Sequence, residues 1–352
     1  MKVLAARGHN LTIFTPQLIK DLENSPNVVQ YYFVKSYEIF RKNVDPLMFL
    51  AEINDCPIIT SSALNAGFMI HGLMGNDINP ALYSETGHLS FLNRNLNIMK
   101  RIESLLFSIY FMIVIIFSKN NKKLQNQFFI EKPVDIDGIL QKRSALLLTN
   151  TNVGFGHIRP LMPNTVQVGF MHVEPPKEIK NKNLKEFLDN STNGIIVMSL
   201  GSKADTKSLN LATVNKFLNV FNQTKFNVVW KSHESDQIIP QNVMLCNWLP
   251  LADVLAHKNV KLLINHSGLM SSYEAIDREI PMIVFPLAYD HHVNAKMMVH
   301  KKIAIELDLN NFSEENLLSA IDEVTKGDFK ENVKKLREKV YDQPIKSLDL
   351  AV

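Results

Sequence analysis

The chain reads as an α/β protein built from two doubly wound, Rossmann-like parallel sheets. Three observations carry that expectation. Short apolar runs bounded by turn residues alternate with amphipathic stretches through the second half, which is the pattern of βαβ units. A length of 352 residues suits two domains of about 150 residues each. Hydrophobic residues make up 46% of the chain, which is enough apolar side chain to fill globular cores.

Taken in order, the second half predicts strands over 194–200, 226–231, 243–246, 261–265 and 281–286. Their alternation with helical stretches is the βαβ signature of a parallel, doubly wound sheet. Helices are predicted over 209–222, 251–257, 269–278, 291–300 and 313–325. The Pro/Lys/Asn-rich stretch PPKEIKNKN (175–183) reads as a linker. Earlier, Leu105 to Phe117 forms one long apolar run, LLFSIYFMIVIIF. It is short of the roughly 20 residues that a spanning helix needs, so a buried or membrane-apposed helix is expected ahead of a transmembrane one.

A formal charge of +3 and the absence of any Lys/Arg cluster give no support for nucleic-acid binding. Cys56 and Cys246 fit neither a disulfide scaffold nor a zinc site and are read as buried thiols. The residues after Met1 enter Ala5-Ala6-Arg7-Gly8-His9 without an apolar core of signal-peptide length. Five Asn-X-Ser/Thr sequons, at Asn10, Asn190, Asn222, Asn265 and Asn311, are compatible with a lumenal setting.

Residues 248–295 hold most of the functional signal. In parallel sheets with helices on both faces, ligands bind outside the carboxyl ends of the strands. Here polar residues fall at two such ends. After Lys261-Leu262-Leu263-Ile264-Asn265 come His266, Ser267 and Gly268, and then a helix opening Leu269-Met270-Ser271-Ser272. A helix N-terminus presents unpaired N–H groups and a positive dipole end, so it attracts anions. Gly268 allows close backbone approach. Ser271 and Ser272 either cap the helix or donate to a bound anion. Glu274, one turn in, reads either as a dipole-friendly acid or as an acceptor for a diol. After Pro286, the residues Asp290, His291 and Asn294 bring further hydroxyl-binding side chains one loop away. Trp248, taken alone, is as readily a core residue as a ligand platform.

As a constellation, this region resembles the signature of the UDP-dependent glycosyltransferases, in particular the animal, insect-like UDP-glucosyl/glucuronosyltransferases. The matching residues are Trp248-Leu249-Pro250, Leu255-Ala256-His257, Val260, His266-Ser267-Gly268, Ser271, Glu274-Ala275, Ile280-Pro281, Asp290-His291 and Asn294-Ala295. The resemblance extends to Gly194–Asp205, with Ser199, Gly201 and Ser202. It also takes in Val228-Val229-Trp230-Lys231, Arg159-Pro160, Pro163-Asn164, Gly169, Arg7-Gly8-His9, Thr15-Pro16, Tyr341-Asp342-Gln343-Pro344 and Leu348-Asp349.

It implies a GT-B type fold. The expected division is an acceptor domain over 1–174, a linker over 175–185, a UDP-sugar donor domain over 186–335, and a segment over 336–352 that returns to the first domain. It also implies roles. Trp248 would stack on uracil, and His266, Ser199, Gly201, Ser202, Gly268 and Ser271 would surround the diphosphate. Glu274 would take the ribose hydroxyls, while Asp290, His291 and Asn294 would serve the sugar end. His257 is expected to be structural.

The pattern is not followed everywhere. Leu251 stands where the family has Gln, His291 replaces the Gln of its D-Q pair, and Ser267 replaces the second Gly of H-G-G. The family's catalytic His–Asp pair is not matched either, so no catalytic residue is assigned. Met1 falls inside the helix that should follow the His-bearing strand, and Asp45 and Asp55 sit at no evident strand end. The acceptor domain therefore reads as incomplete. The expected function is transfer of a hexose, glucose ahead of glucuronic acid, from UDP-sugar to a hydroxyl of a small lipophilic acceptor, with inversion. UDP-sugar would be a co-substrate, and neither a cofactor nor a metal is expected. The alternative is a catalytically inactive UDP-sugar-binding relative. The resemblance further implies an endoplasmic reticulum membrane or lumenal setting and association with itself or with family members.

Overall fold

The computed structural model of the chain describes residues 11–15, 28–32, 57–62, 68–77, 142–156, 159–201, 209–232, 237–287 and 290–352, with short helical pieces between 98 and 110. Strands β1 (Leu11–Thr15) and β2 (Val28–Tyr32) form a parallel pair. Strands β3 (Ile58–Ser62), β4 (Ser144–Thr149) and β5 (Thr165–Gln167) form a second parallel sheet. Helix α1 (Phe68–Leu73) follows β3. Beyond it, Asn76 donates to Thr165 Oγ1 at 2.8 Å and accepts from the Met162 N–H at 2.7 Å.

The largest sheet comprises β6 (Ile195–Ser199), β7 (Asn227–Lys231), β8 (Val243–Cys246), β9 (Val260–Asn265), β10 (Met282–Val284) and β11 (Ala304–Glu306). Every pairing in it is parallel, and the spatial order is β11-β10-β9-β6-β7-β8. The chain lays down β6, β7 and β8 in one direction, then returns to place β9, β10 and β11 on the other side of β6. That is the doubly wound order, with its switch point between β6 and β9.

Period-2 alternation explains why these strands carry no polar face. Ile195 and Val197 of β6, Val229 of β7, Leu263 of β9 and Met282 and Val284 of β10 enter one core. Ile196, Met198, Val228, Trp230, Leu262, Ile264 and Ile283 enter the other. Each strand is buried on both sides and reads as an unbroken apolar run. Helices α3 (Leu211–Gln223) and α7 (Glu314–Lys326) cover the second core through Phe217, Phe221, Leu317 and Ile321. The other core is covered by α2 (Lys182–Asn190), α4 (Leu251–Leu255), α5 (Leu269–Asp277), α6 (His291–His300) and α8 (Phe329–Tyr341). A last short helix, α9, spans Ser347–Leu350.

Local chemistry sets the helix starts. Asn210 accepts the Thr213 N–H at 2.7 Å to begin α3, and Ser313 with Asn316 forms a capping box for α7. Residues 173–181 run without regular structure. The Lys/Asn-rich end of the predicted linker becomes the first turn of α2, because Asn181 Oδ1 accepts the Leu184 N–H at 3.1 Å.

The β3–β4–β5 sheet is tied to the large one at its strand ends. Tyr273 of α5 donates to the Asn150 carbonyl just past β4 at 3.2 Å, and its ring stacks on Phe170 at 4.0 Å between centroids. Asn152 donates to the Val340 carbonyl of α8 at 3.1 Å. A Cβ on Gly169 would lie 2.6 Å from the Thr151 carbonyl oxygen, so the chain passes there only as glycine.

Three expectations change or lie elsewhere. Cys246 is partly exposed at the end of β8, not buried, because β8 is the edge strand. Leu105, Leu106, Ile109 and Tyr110 are 44%, 60%, 40% and 63% exposed, so this part of the apolar run is not core. Among the described residues no helix is long and apolar enough to cross a membrane. Ser202, Cys56, Asp45, Asp55, Arg7-Gly8-His9, Pro16 and most of 105–117 lie outside the described residues.

Candidate functional site

Parallel register aligns the strand ends that flank the switch point. Ser199 of β6 pairs with Asn265 of β9, which pairs in turn with Val284 of β10. The helices that follow β6 and β9, α3 and α5, cover opposite faces of the sheet, the arrangement that leaves a crevice outside these carboxyl ends.

Asn265 builds the turn after β9. It is fully buried, its Oδ1 accepts the Ser267 N–H at 3.0 Å, and its amide faces the Ser271 hydroxyl at 3.3 Å. This burial also disposes of the sequon at 265, because a fully buried side chain cannot carry a glycan in the folded protein. The turn forces Ser267 to φ 60°, a left-handed conformation that costs a non-glycine residue about 1 kcal/mol. Ser267 is 0% exposed and its hydroxyl reaches the His291 carbonyl at 2.7 Å. The side chain that replaces the expected glycine therefore points into the protein, not into the crevice.

Between the strand ends stands the His266 ring. A Cβ on Gly201 would lie 3.0 Å from its Cε1, and one on Gly268 would lie 2.6 Å from its Nε2. Gly201 also has φ +93°, so that position needs glycine twice over. The His291 ring meets the His266 ring edge to face, with centroids 4.6 Å apart. Burial first, then His291, lowers the His266 pKa to about 4, with the nearby Ser199 backbone working against them. His266 is thus neutral near pH 7, with one donor and one acceptor nitrogen, and its Nδ1 is buried without a partner among the described residues.

Two helices start here without side-chain caps. Gly268 offers α5 none, and the Ser271 and Ser272 hydroxyls both turn back to the Gly268 carbonyl at 3.0 and 2.9 Å. Asp290 precedes α6 without capping it. Its carboxylate instead accepts from Asn294 Nδ2 at 2.7 Å. Asn294 uses its other N–H on the Ser267 carbonyl at 3.1 Å, so it bolts the two loops together and aims Asp290. Asn294→Ala would leave a buried carbonyl and a carboxylate without their donor, which should cost about 2 kcal/mol in urea unfolding. A loss below about 0.5 kcal/mol would contradict that role.

At the far side, Trp248 is 78% exposed just past β8. The Lys231 ammonium, at the end of β7, lies 5.4 Å from the Trp248 ring centroid and donates to the Gly201 carbonyl at 3.4 Å. This brings a cation and an aromatic face to the crevice. Glu274 of α5 is half-buried, and burial raises its pKa against the pull of Arg278. Among the described residues its carboxylate takes part in no hydrogen bond. His257 lies apart, with Nε2 3.1 Å from Asp189 Oδ1 at the end of α2, in keeping with a structural role. No three His, Cys, Asp or Glu side chains among the described residues stand together as metal ligands would.

The structure thus brings Ser199, Gly201, His266, Gly268, Ser271, Asp290, His291 and Asn294 to one crevice, with Trp248 on its rim through Lys231. Lys231 and Asn265 were given no role in the sequence analysis. The available signal was position, since Asn265 ends β9 at the switch point and Lys231 ends β7, the next strand beyond β6. Chemically, the site offers uncapped helix N-termini and a cation to a phosphate-bearing ligand, an exposed indole to a flat ring, and carboxylate and imidazole groups to hydroxyls.

Residues 13–352 match the family model described as UDP-glucoronosyl and UDP-glucosyl transferase. UDP-glucosyltransferase 2 of Dactylopius coccus is 30% identical over 283 residues, 79% of this chain and 54% of that one. UDP-glucuronosyltransferase 2B17 of Homo sapiens is 32% identical over 309 residues, 86% of this chain and 57% of that one. The chain therefore spans about half the length of the curated relatives it matches. Among solved structures, the glycotransferase of kitacinnamycin superposes with a TM-score of 0.64 at 17% identity, covering 96% of this chain and 89% of that one. That likeness, with the parallel sheets, establishes a GT-B type fold.

Proposed function

Because the chain belongs to the family of UDP-glucuronosyl and UDP-glucosyl transferases, we propose that the crevice between β6 and β9 holds a UDP-sugar. From it a hexose, glucose ahead of glucuronic acid, passes to a hydroxyl of a small lipophilic acceptor. The observation that carries this reading is the convergence of the uncapped α5 N-terminus, the glycine-clamped His266 and Lys231 on one point, with exposed Trp248 beyond.

In an inverting transfer the acceptor oxygen attacks the anomeric carbon opposite the bond to phosphate, and that bond breaks as UDP leaves. Charge grows on the departing phosphate oxygen. The α5 dipole, the neutral His266 and the Lys231 ammonium would stabilise it without reorganising, so no metal ion is required in this reading. Uracil would lie on Trp248 and the ribose diol on Glu274. Asp290, aimed by Asn294, and His291 would hold sugar hydroxyls. The acceptor's proton must pass to a base beside the acceptor oxygen, and the residues described above make up the leaving-group half of the reaction. A lumenal setting on the endoplasmic reticulum belongs to the same proposal.

The test is UDP release by the purified chain with UDP-glucose and UDP-glucuronic acid, each against a panel of lipophilic phenols and alcohols. Phenol-dependent release is expected. Binding of UDP without release from any acceptor would assign a UDP-sugar-binding relative, and no binding at all would overturn the donor-site assignment.

A further inference from the structure

The edge-to-face pair of His266 and His291 joins two titratable rings where the diphosphate end of the site would meet its sugar end. His266 comes from the turn before α5 and His291 is the first residue of α6, with centroids 4.6 Å apart. The two rings differ in what surrounds them. His266 is wedged between Gly201 and Gly268 with a buried, unpartnered Nδ1. His291 is only partly buried and follows the Asp290 carboxylate directly, while its backbone carbonyl is fixed by the Ser267 hydroxyl. The loop that carries His291 is therefore fixed to the turn before α5, and the ring is less enclosed than that of His266.

We propose, resting on the donor-site reading above, that His291 is the proton-accepting residue of the site: it turns from imidazole to imidazolium as the diphosphate arrives, so donor binding takes up a proton.

The charged and titratable groups around the pair are Asp290 and His292 on α6, His266 on the β9–α5 turn, and Lys231 at the end of β7. Without a donor, burial is the main influence lowering the His291 pKa. Asp290 works against it and His292 adds to it. Lys231 and the neighbouring ring also disfavour a second positive charge at His266. A pyrophosphate carrying two negative charges reverses this balance, because an opposite charge within a few ångströms raises a histidine pKa. His291 takes the proton in preference to His266, because it is the less buried ring and the one with a carboxylate beside it. Between the donor-free and donor-bound pKa values the complex binds more protons than the free protein. Donor affinity therefore rises as pH falls through the bound value and levels off below the free one.

Calorimetric titration of the full chain with UDP-glucose, near pH 6.5 in buffers of low and high ionisation enthalpy, reads the proton count directly. UDP-glucose has no phosphate that titrates in this range, so any uptake belongs to the protein. The expected result is uptake of about half a proton or more, with affinity about threefold to tenfold higher at pH 6 than at pH 8. In His291→Gln the uptake should disappear and the pH profile flatten, whatever the remaining affinity. His292→Gln, a change at an exposed neighbour, should keep the uptake. Binding with no proton uptake in the unmodified chain would overturn the proposal and leave the donor site standing. Full uptake persisting in His291→Gln would overturn the assignment to His291. Failure of both UDP-glucose and UDP-glucuronic acid to bind at any pH would overturn the donor-site reading itself.

Discussion

Trp248→Ala should weaken UDP binding by roughly tenfold to a hundredfold and leave the unfolding free energy within about 0.5 kcal/mol, whereas Trp230→Ala should do the reverse. The chain has two tryptophans, and the fold uses them oppositely. Trp230 is 1% exposed, with Phe217 and Phe221 edge-on at 5.8 and 5.9 Å between centroids. Truncating it opens a cavity in the middle of a core and should cost about 3–5 kcal/mol. Trp248 is 78% exposed, so little apolar burial is lost when it is removed. What is lost is a flat π-surface beside the Lys231 ammonium. Calorimetry with UDP and urea unfolding of both variants separate the two effects. A stability loss above about 2 kcal/mol in Trp248→Ala would show that its ring is a packing element after all.

Gly268→Ala should cost about a hundredfold in UDP affinity, because the added methyl would stand 2.6 Å from His266 Nε2. The backbone at 268 has φ −61° and ψ 132°, which any residue adopts, so strain is not the reason. The clash is with the ring, which must leave the point where the α5 N–H groups converge. A stability loss of about 1–2 kcal/mol should accompany it, as in other overpacked sites. The double variant Gly268→Ala/His266→Ala distinguishes the causes. Removing the ring relieves the clash, so stability should return while UDP affinity stays low. Recovery of affinity in the double variant would mean that His266 does not hold the ligand.

Much of the donor half was legible because its constraints are local. The strands 194–200, 226–231, 243–246, 261–265 and 281–286 were predicted within a few residues of β6 to β10. A fully buried parallel strand has to be an unbroken apolar run, and prolines close the last of these on both sides. Helices α3, α5, α6 and α7 were predicted with similar accuracy because caps and periodicity lie in adjacent residues. Strand β11 and helices α2 and α8 were not assigned as elements. β11 is three residues long at a sheet edge, and α2 begins inside a stretch whose composition reads as linker.

Roles within the site were less legible. By type, Ser271, Asn294 and Ser267 each look like ligand-facing groups. Their hydrogen-bonding capacity is spent inside the protein, on the Gly268 carbonyl, on Asp290 with Ser267, and on the His291 carbonyl respectively. Lys231 carried no such expectation, yet it stands at the crevice. The difference is one of direction, since side-chain type states what a group can bond but not which partner it faces.

By itself, then, the sequence determined the doubly wound sheet, the strand ends that carry the site and the family to which the chain belongs. All three depend on patterns a few residues long. The tertiary structure alone decided that Trp248 is exposed while Trp230 is core, that two glycines clamp His266, and that His266 and His291 touch. Those facts depend on β6, β9 and β10 lying side by side in parallel register, which brings residues far apart in the chain to within a few ångströms at one end of the sheet.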